Sequence, residues 1–151
     1  HLLLNCKLRR LQIPESLIYY IIIEILNGLE YAHSRKVVRQ GKTISLNILH
    51  RNIDPSNILI NHQGHVKLKG FSSQCQLSES TFLPPDENID QRTDIWSVGA
   101  VLQALLYGVD KVDPRATITS QVTKPIERIM QQALHPNPSR RFQSRKAPSH
   151  G

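Results

Sequence analysis

Cysteine is scarce in this chain. Cys6 and Cys75 are the only two, and no C-x-x-C spacing joins them. Two isolated thiols make neither a four-ligand zinc site nor a disulfide framework, and a reducing compartment is expected. Aromatic residues are only 5% of the total, which leaves no stacking platform for bases. Long apolar runs are missing too. The longest extends from Leu17 to Ile23 before Glu24 interrupts it, with Ile25 and Leu26 beyond. A membrane span needs about 20 apolar residues, so the run reads as a buried helix. No charged stretch with a cleavage site precedes it, so no signal peptide is expected. Acidic residues are few: 12 Asp and Glu face 19 Lys and Arg, a net charge of +7. The basic residues are scattered rather than clustered, so a solvated basic surface is expected and a nucleic-acid partner is not. The chain opens on His1 and its only methionine is Met130. The expectation is a piece of a longer chain, or a processed one.

What is present is ordinary for a folded protein. There are 151 residues, 39% hydrophobic and 21% charged. That suits one domain with a modest core and excludes collagen, a disulfide scaffold or a disordered tail. Pro14 is placed to open a helix. From there Leu17, Ile21, Ile25 and Leu29 recur every four residues, joined by Ile18, Ile22 and Leu26. This apolar surface runs almost all round and predicts a core helix reaching about His33. Residues 37–44 carry β-branched ends around Gly41 and read as a hairpin or a loop insertion. Ile58–Ile60 and His65–Leu68 read as two short strands, with the turn chemistry of Asn61-His62-Gln63-Gly64 between them. Residues 72–88 are polar with Pro84-Pro85 and read as a loop. A second buried helix is expected over Asp94–Tyr107. A third is expected over Lys124–Leu134, with Ile126, Ile129, Met130 and Leu134 on one face. The polar tail 144–151 is expected to fray. The expected fold is mainly α with one small two-stranded β ribbon.

Several motifs then fall into one order. His50-Arg51-Asn52-Ile53-Asp54-Pro55-Ser56-Asn57 resembles the catalytic loop H-R-D-x-x-x-x-N of protein kinases. Val66-Lys67-Leu68-Lys69-Gly70-Phe71 sits where that family has D-F-G. Pro84-Pro85-Asp86 resembles A-P-E, and Asp94-Ile95-Trp96-Ser97-Val98-Gly99 the start of its central buried helix. Pro138-Ser139-Arg140-Arg141-Phe142 resembles the arginine turn near the end of its large lobe. The insertion from Arg35 to Leu49 gives the chain the style of bacterial Ser/Thr kinases of the eukaryotic type. The resemblance covers the large C-terminal lobe, residues 1–143. The small lobe is absent, since neither G-x-G-x-x-G nor V-A-I-K occurs.

By that resemblance Asn57 and Leu59 are the ATP-side positions, and Asn57 and Gly70 are the magnesium positions. Asn52 stands at the catalytic-base position and Asp54 at that of the loop lysine. An amide at Asn52 cannot take a hydroxyl proton, and loss of such a base costs about 10²–10⁴ in rate. Gly70 offers no oxygen to a hard cation. ATP and Mg²⁺ are therefore cofactors by resemblance only, and neither is expected to bind well. Asp54 is either a displaced base or, with greater weight, a turn-capping carboxylate. The resemblance gives His50, Phe71 and Asp94 an anchoring stack and pairs Asp86 with Arg141. The plain alternatives are a satisfied core histidine at His50 and a helix N-cap at Asp94. Arg51 would receive a phosphate placed on Ser72, Ser73, Ser78, Ser80 or Thr81. The leading expectation is a cytoplasmic pseudokinase lobe that works through a protein partner. Behind it stand a fragment of a divergent active Ser/Thr kinase and a decayed remnant.

Overall fold

The structure, a computed structural model, describes residues 12–71, 82–85, 89–108, 113 and 123–142. Among them are three helices and two antiparallel two-stranded sheets. In chain order they are α1 (Glu15–Ser34), β1 (Lys36–Arg39), β2 (Lys42–Ser45), β3 (Ile58–Ile60), β4 (Val66–Leu68), α2 (Gln91–Tyr107) and α3 (Lys124–Ala133). The architecture is mainly helical, as expected, but it has two ribbons rather than one. Residues 37–44 are a true hairpin. Gln40 and Gly41 both have positive φ (51° and 73°), the conformation a two-residue hairpin loop requires.

The three helices form the core, with α2 packed between α1 and α3. Ile18, Ile21, Ile25 and Leu29 of α1 meet Val98, Val101, Leu102 and Leu105 of α2, with Ile126, Met130 and Leu134 beyond them. Fully burying such a side chain stabilises by about 1.5–3 kcal/mol. α1 is not buried all round, however. Leu17 is 36% exposed, Leu26 37% and Ile23 52%, because one packed layer covers only one face of a helix. Ile129 is likewise exposed, lying beside rather than on the Ile126–Met130–Ala133 line that faces α2.

α2 begins three residues before its expected start. Its N-cap is Asp90, not Asp94. The Asp90 carboxylate accepts the Arg92 backbone N–H (2.8 Å), and Thr93 Oγ1 accepts the Asp90 N–H (3.2 Å), completing a capping box. The Arg92 guanidinium bonded to Asp90 holds that carboxyl below the usual carboxylate range. Asp94 lies one turn inside the helix and is free for other work. The helix ends at Gly108, whose left-handed φ of 62° closes it with a bond to the Ala104 carbonyl. The expected tail 144–151 lies outside the described residues.

Candidate functional site

The loop between the two ribbons is pinned to α2 by one carboxylate. Asp94 is 1% exposed. Its Oδ2 accepts the His50 backbone N–H (2.9 Å) and the His33 Nε2–H (2.7 Å), and its Oδ1 accepts the Arg51 N–H (2.9 Å). Arg51 has φ of 65°, an uncommon conformation for a residue with a Cβ. Two adjacent N–H groups turned onto one carboxylate account for it.

His50 lies at the centre of this arrangement with no exposed surface. Its Nδ1 accepts the Asn52 N–H (3.2 Å) and its Nε2–H donates to the Lys69 carbonyl (2.9 Å). A backbone N–H only donates and a carbonyl only accepts, so the ring is neutral with its proton on Nε2. Burial pushes its pKa below the usual histidine value, partly offset by the Lys69 carbonyl and by Asp94 and Asp54. The Phe71 ring meets it edge-on, with centroids 4.4 Å apart at 68°. His50, Phe71 and Asp94 thus stand together, with His33 as a fourth member. Sequence reading passed over His33. Its i+4 spacing after Ile25 and Leu29 was the available clue, since it carries the buried stripe to the last turn of α1.

The other predicted positions gather one step along the loop. Asp54 caps a 3₁₀ turn over Pro55–Asn57. Its Oδ1 accepts the Ser56 N–H (2.6 Å) and the Ser56 hydroxyl, and its Oδ2 accepts from Asn57 Nδ2 (3.3 Å). This is the capping geometry of the turn reading. Asn57 Nδ2 also donates to the Asn52 carbonyl (2.8 Å). Gly70 has φ of 92°, and a Cβ built on it would lie 3.5 Å from Asn57 Cγ. A side chain there would point at the Asn57 amide in ordinary contact. Gly70 and Asn57, the two positions that the resemblance assigns to magnesium, thus face each other, but Gly70 supplies no oxygen. Mg²⁺ takes carboxylate and water oxygens in a near-octahedral shell. A neutral amide at Asn57, beside an Asp54 already engaged in its own turn, does not fit that ion. Among the described residues no three His, Cys, Asp or Glu side chains gather as a metal site.

Some predicted residues lie apart. Leu59, on β3, is 50% exposed and makes no part of the Asn52–Asn57–Gly70 group. Arg141 is 2% exposed, and its guanidinium donates to the carbonyls of His135 (2.8 Å), Pro136 (3.3 Å) and Arg92 (3.4 Å). Asp86 and the serines of 72–80 with Thr81 lie outside the described residues, so the Asp86–Arg141 pairing and the phosphosites do as well. A cavity of about 610 Å³ opens behind β4, lined in part by Tyr31, Arg35, Ile48, Val66, Leu68 and Phe71. Asn52, Asn57 and Gly70 are not on its wall. No helix among the described residues is long and apolar enough to cross a membrane.

Comparisons with known proteins point the same way as the loop geometry. The protein kinase domain family matches residues 2–150. Mitogen-activated protein kinase kinase 1c of Physcomitrium patens is 33% identical over 119 residues, 68% of this chain and 31% of that protein. A probable serine/threonine-protein kinase nek2 of Dictyostelium discoideum is 28% identical over 142 residues, 83% and 31%. The probable serine/threonine-protein kinase PknB of Bifidobacterium longum is 32% identical over 106 residues, 58% and 14%. The chain spans a third or less of the length of these relatives. With a histidine-anchored loop held by a buried aspartate, and a family match along nearly its whole length, the chain belongs to the protein kinase family.

Proposed function

We propose that this chain is the large lobe of a protein-kinase-like fold that keeps its scaffold without efficient phosphotransfer, and that it works by binding a protein partner in the cytoplasm. Phosphoryl transfer is mainly positioning and charge neutralisation. The observation that carries the reading is the donor set around Asn57: an amide at the base position Asn52, a glycine at Gly70, and an Asp54 carboxylate bonded within its own turn. In this reading Asn52 and Gly70 are degenerate catalytic and metal positions. His50, Arg51, Phe71, Asp94 and Arg141 are structural.

A thermal shift with Mg²⁺-ATP tests it. A ligand held at 100 times its Kd raises stability by about 2.7 kcal/mol, which a melting curve reads easily. No shift is expected, with or without the metal. A clear metal-dependent rise would overturn the proposal. It would favour the second reading, a fragment of an active kinase. The intact Asp94 frame supports that reading, as does coverage of a third or less of the relatives, since a longer chain could carry the remaining parts.

A further inference from the structure

From Tyr31 to Ile53 the chain holds no Asp or Glu, while Arg35, Lys36, Arg39, Lys42 and Arg51 fall within it. Four of these cations flank or form the β1–β2 hairpin. Arg35 lies over the Tyr31 ring, 5.3 Å from its centroid. The hairpin is open on both faces: every residue is exposed except the half-buried Val37. Val38 is 71% exposed and Ile44 45%. No third strand joins it among the described residues.

The register decides which backbone groups point outward. Leu46 N–H donates to the Arg35 carbonyl (2.8 Å), so Arg35 and Leu46 are a bonded pair. Bonded and non-bonded pairs alternate along an antiparallel ladder. Lys36↔Ser45 and Val38↔Thr43 are therefore the non-bonded pairs. Their N–H and C=O groups turn away from the partner strand. The outer edge of β1 thus presents two free donors and two free acceptors, at Lys36 and Val38, with Lys-Val-Val-Arg side chains along it.

Such an edge accepts an added strand. A second copy would bring a strand with the same cations and no acidic residue, so nothing on it would compensate Lys36 and Arg39. A neutral apolar strand would leave those cations uncompensated. Phosphates or lipid headgroups would match the cations but gain nothing from the exposed Val38 and the half-buried Val37 beside it. We propose that the outer edge of β1 docks an extended protein segment of the pattern acidic–apolar–apolar–acidic. The acidic residues face Lys36 and Arg39, and the apolar ones face Val37 and Val38. The pattern reads the same in either direction, so strand polarity is left to the backbone bonds. This goes beyond the pseudokinase reading and is independent of it, because docking needs no nucleotide.

The test uses the full 151-residue chain and a fluorescent peptide with the core Glu-Val-Val-Glu, followed by anisotropy without ATP. Binding is expected, weakening about tenfold or more as salt shortens the Debye length from about 30 Å to 8 Å. A peptide of the same composition ordered Val-Glu-Glu-Val should bind at least about tenfold worse, because its charges meet valines. Lys36→Glu with Arg39→Glu should abolish binding with an unchanged circular dichroism spectrum. Val38→Pro removes an outward N–H that the hairpin itself does not use, and should weaken binding to the same extent. Equal binding of the two peptide orders would overturn the proposal whether or not any variant folds. Wild-type affinity in a folded Val38→Pro variant would also overturn it, as would tighter binding of single-stranded DNA or phosphatidylserine vesicles than of the peptide.

Discussion

Asp94 accepts three donors at once, two from successive backbone amides and one from His33. Removing it takes their acceptor from the buried His50 N–H and the buried His33 ring, and leaving a buried donor unsatisfied costs about 1–3 kcal/mol each. Asp94→Ala is therefore expected to lower the urea midpoint severely and to release the His50–Arg51 turn. A midpoint close to wild type would show that the carboxylate does not hold the loop. His50 supplies a second residue-scale prediction. Its folded pKa lies below the usual 6.5, so between the two values the unfolded chain takes up the proton first. The stabilisation is complete above pH 6.5 and is lost as pH falls through the lowered folded value. A ring titration by nuclear magnetic resonance should give a midpoint under 6.5, with urea midpoints falling on acidification over the same range. A midpoint at 6.5 or above would contradict the neutral, doubly bonded ring.

Among the elements, α2 decides most of the architecture. Its cap at Asp90 sets where the helix starts, and that start places Asp94 one turn inside, facing the loop. Its middle must let α3 come close. A Cβ on Gly99 would lie 2.7 Å from Ala133 Cβ and 3.1 Å from Leu134 Cγ. Alanine normally favours a helix over glycine by about 1 kcal/mol, yet overpacking a close contact costs about 1–3 kcal/mol. Gly99→Ala should therefore be net destabilising, read as a lower melting temperature, where an exposed helix position would show a rise. An increase in stability would mean that α2 and α3 separate at little cost. A second anchor on α2 escaped sequence reading. Buried Gln103 donates to the Asp113 carbonyl (2.6 Å) and accepts its N–H (2.9 Å), and an isolated glutamine in an apolar helix gives no hint of the backbone it will meet.

At the scale of the whole molecule, the proposed reading is of a frame around an incomplete donor set. Restoring both acids, as Asn52→Asp with Gly70→Asp, tests how far the frame alone suffices. There is room for the second side chain beside Asn57, and its left-handed backbone costs about 1–2 kcal/mol. The double variant is expected to gain a measurable Mn²⁺ or Mg²⁺ thermal shift. It is expected to transfer no radiolabelled phosphate, since the chain contains no glycine loop or V-A-I-K lysine to hold the phosphates. Phosphate transfer by this variant would show that the lobe needs nothing more. Much of this molecule was legible in advance. The i+4 apolar spacing of α1, the Asn-Gly-bounded turn of the second ribbon and the order of the kinase-like motifs are local patterns, and local periodicity is written in the chain itself. The expectation of an α1 buried almost all round and the alternative of a cap at Asp94 failed because burial and capping depend on what lies across the contact. By itself, the sequence determined the family, the helices and the identity of Asn52, Asp54, Asn57 and Gly70. Only the tertiary structure decided that His33 joins Asp94, that Asp54 spends its oxygens on its own turn, and that Gly70 faces Asn57. Each of these contacts joins groups whose distance is set by packing and hydrogen bonding in three dimensions, and no residue pattern states that distance.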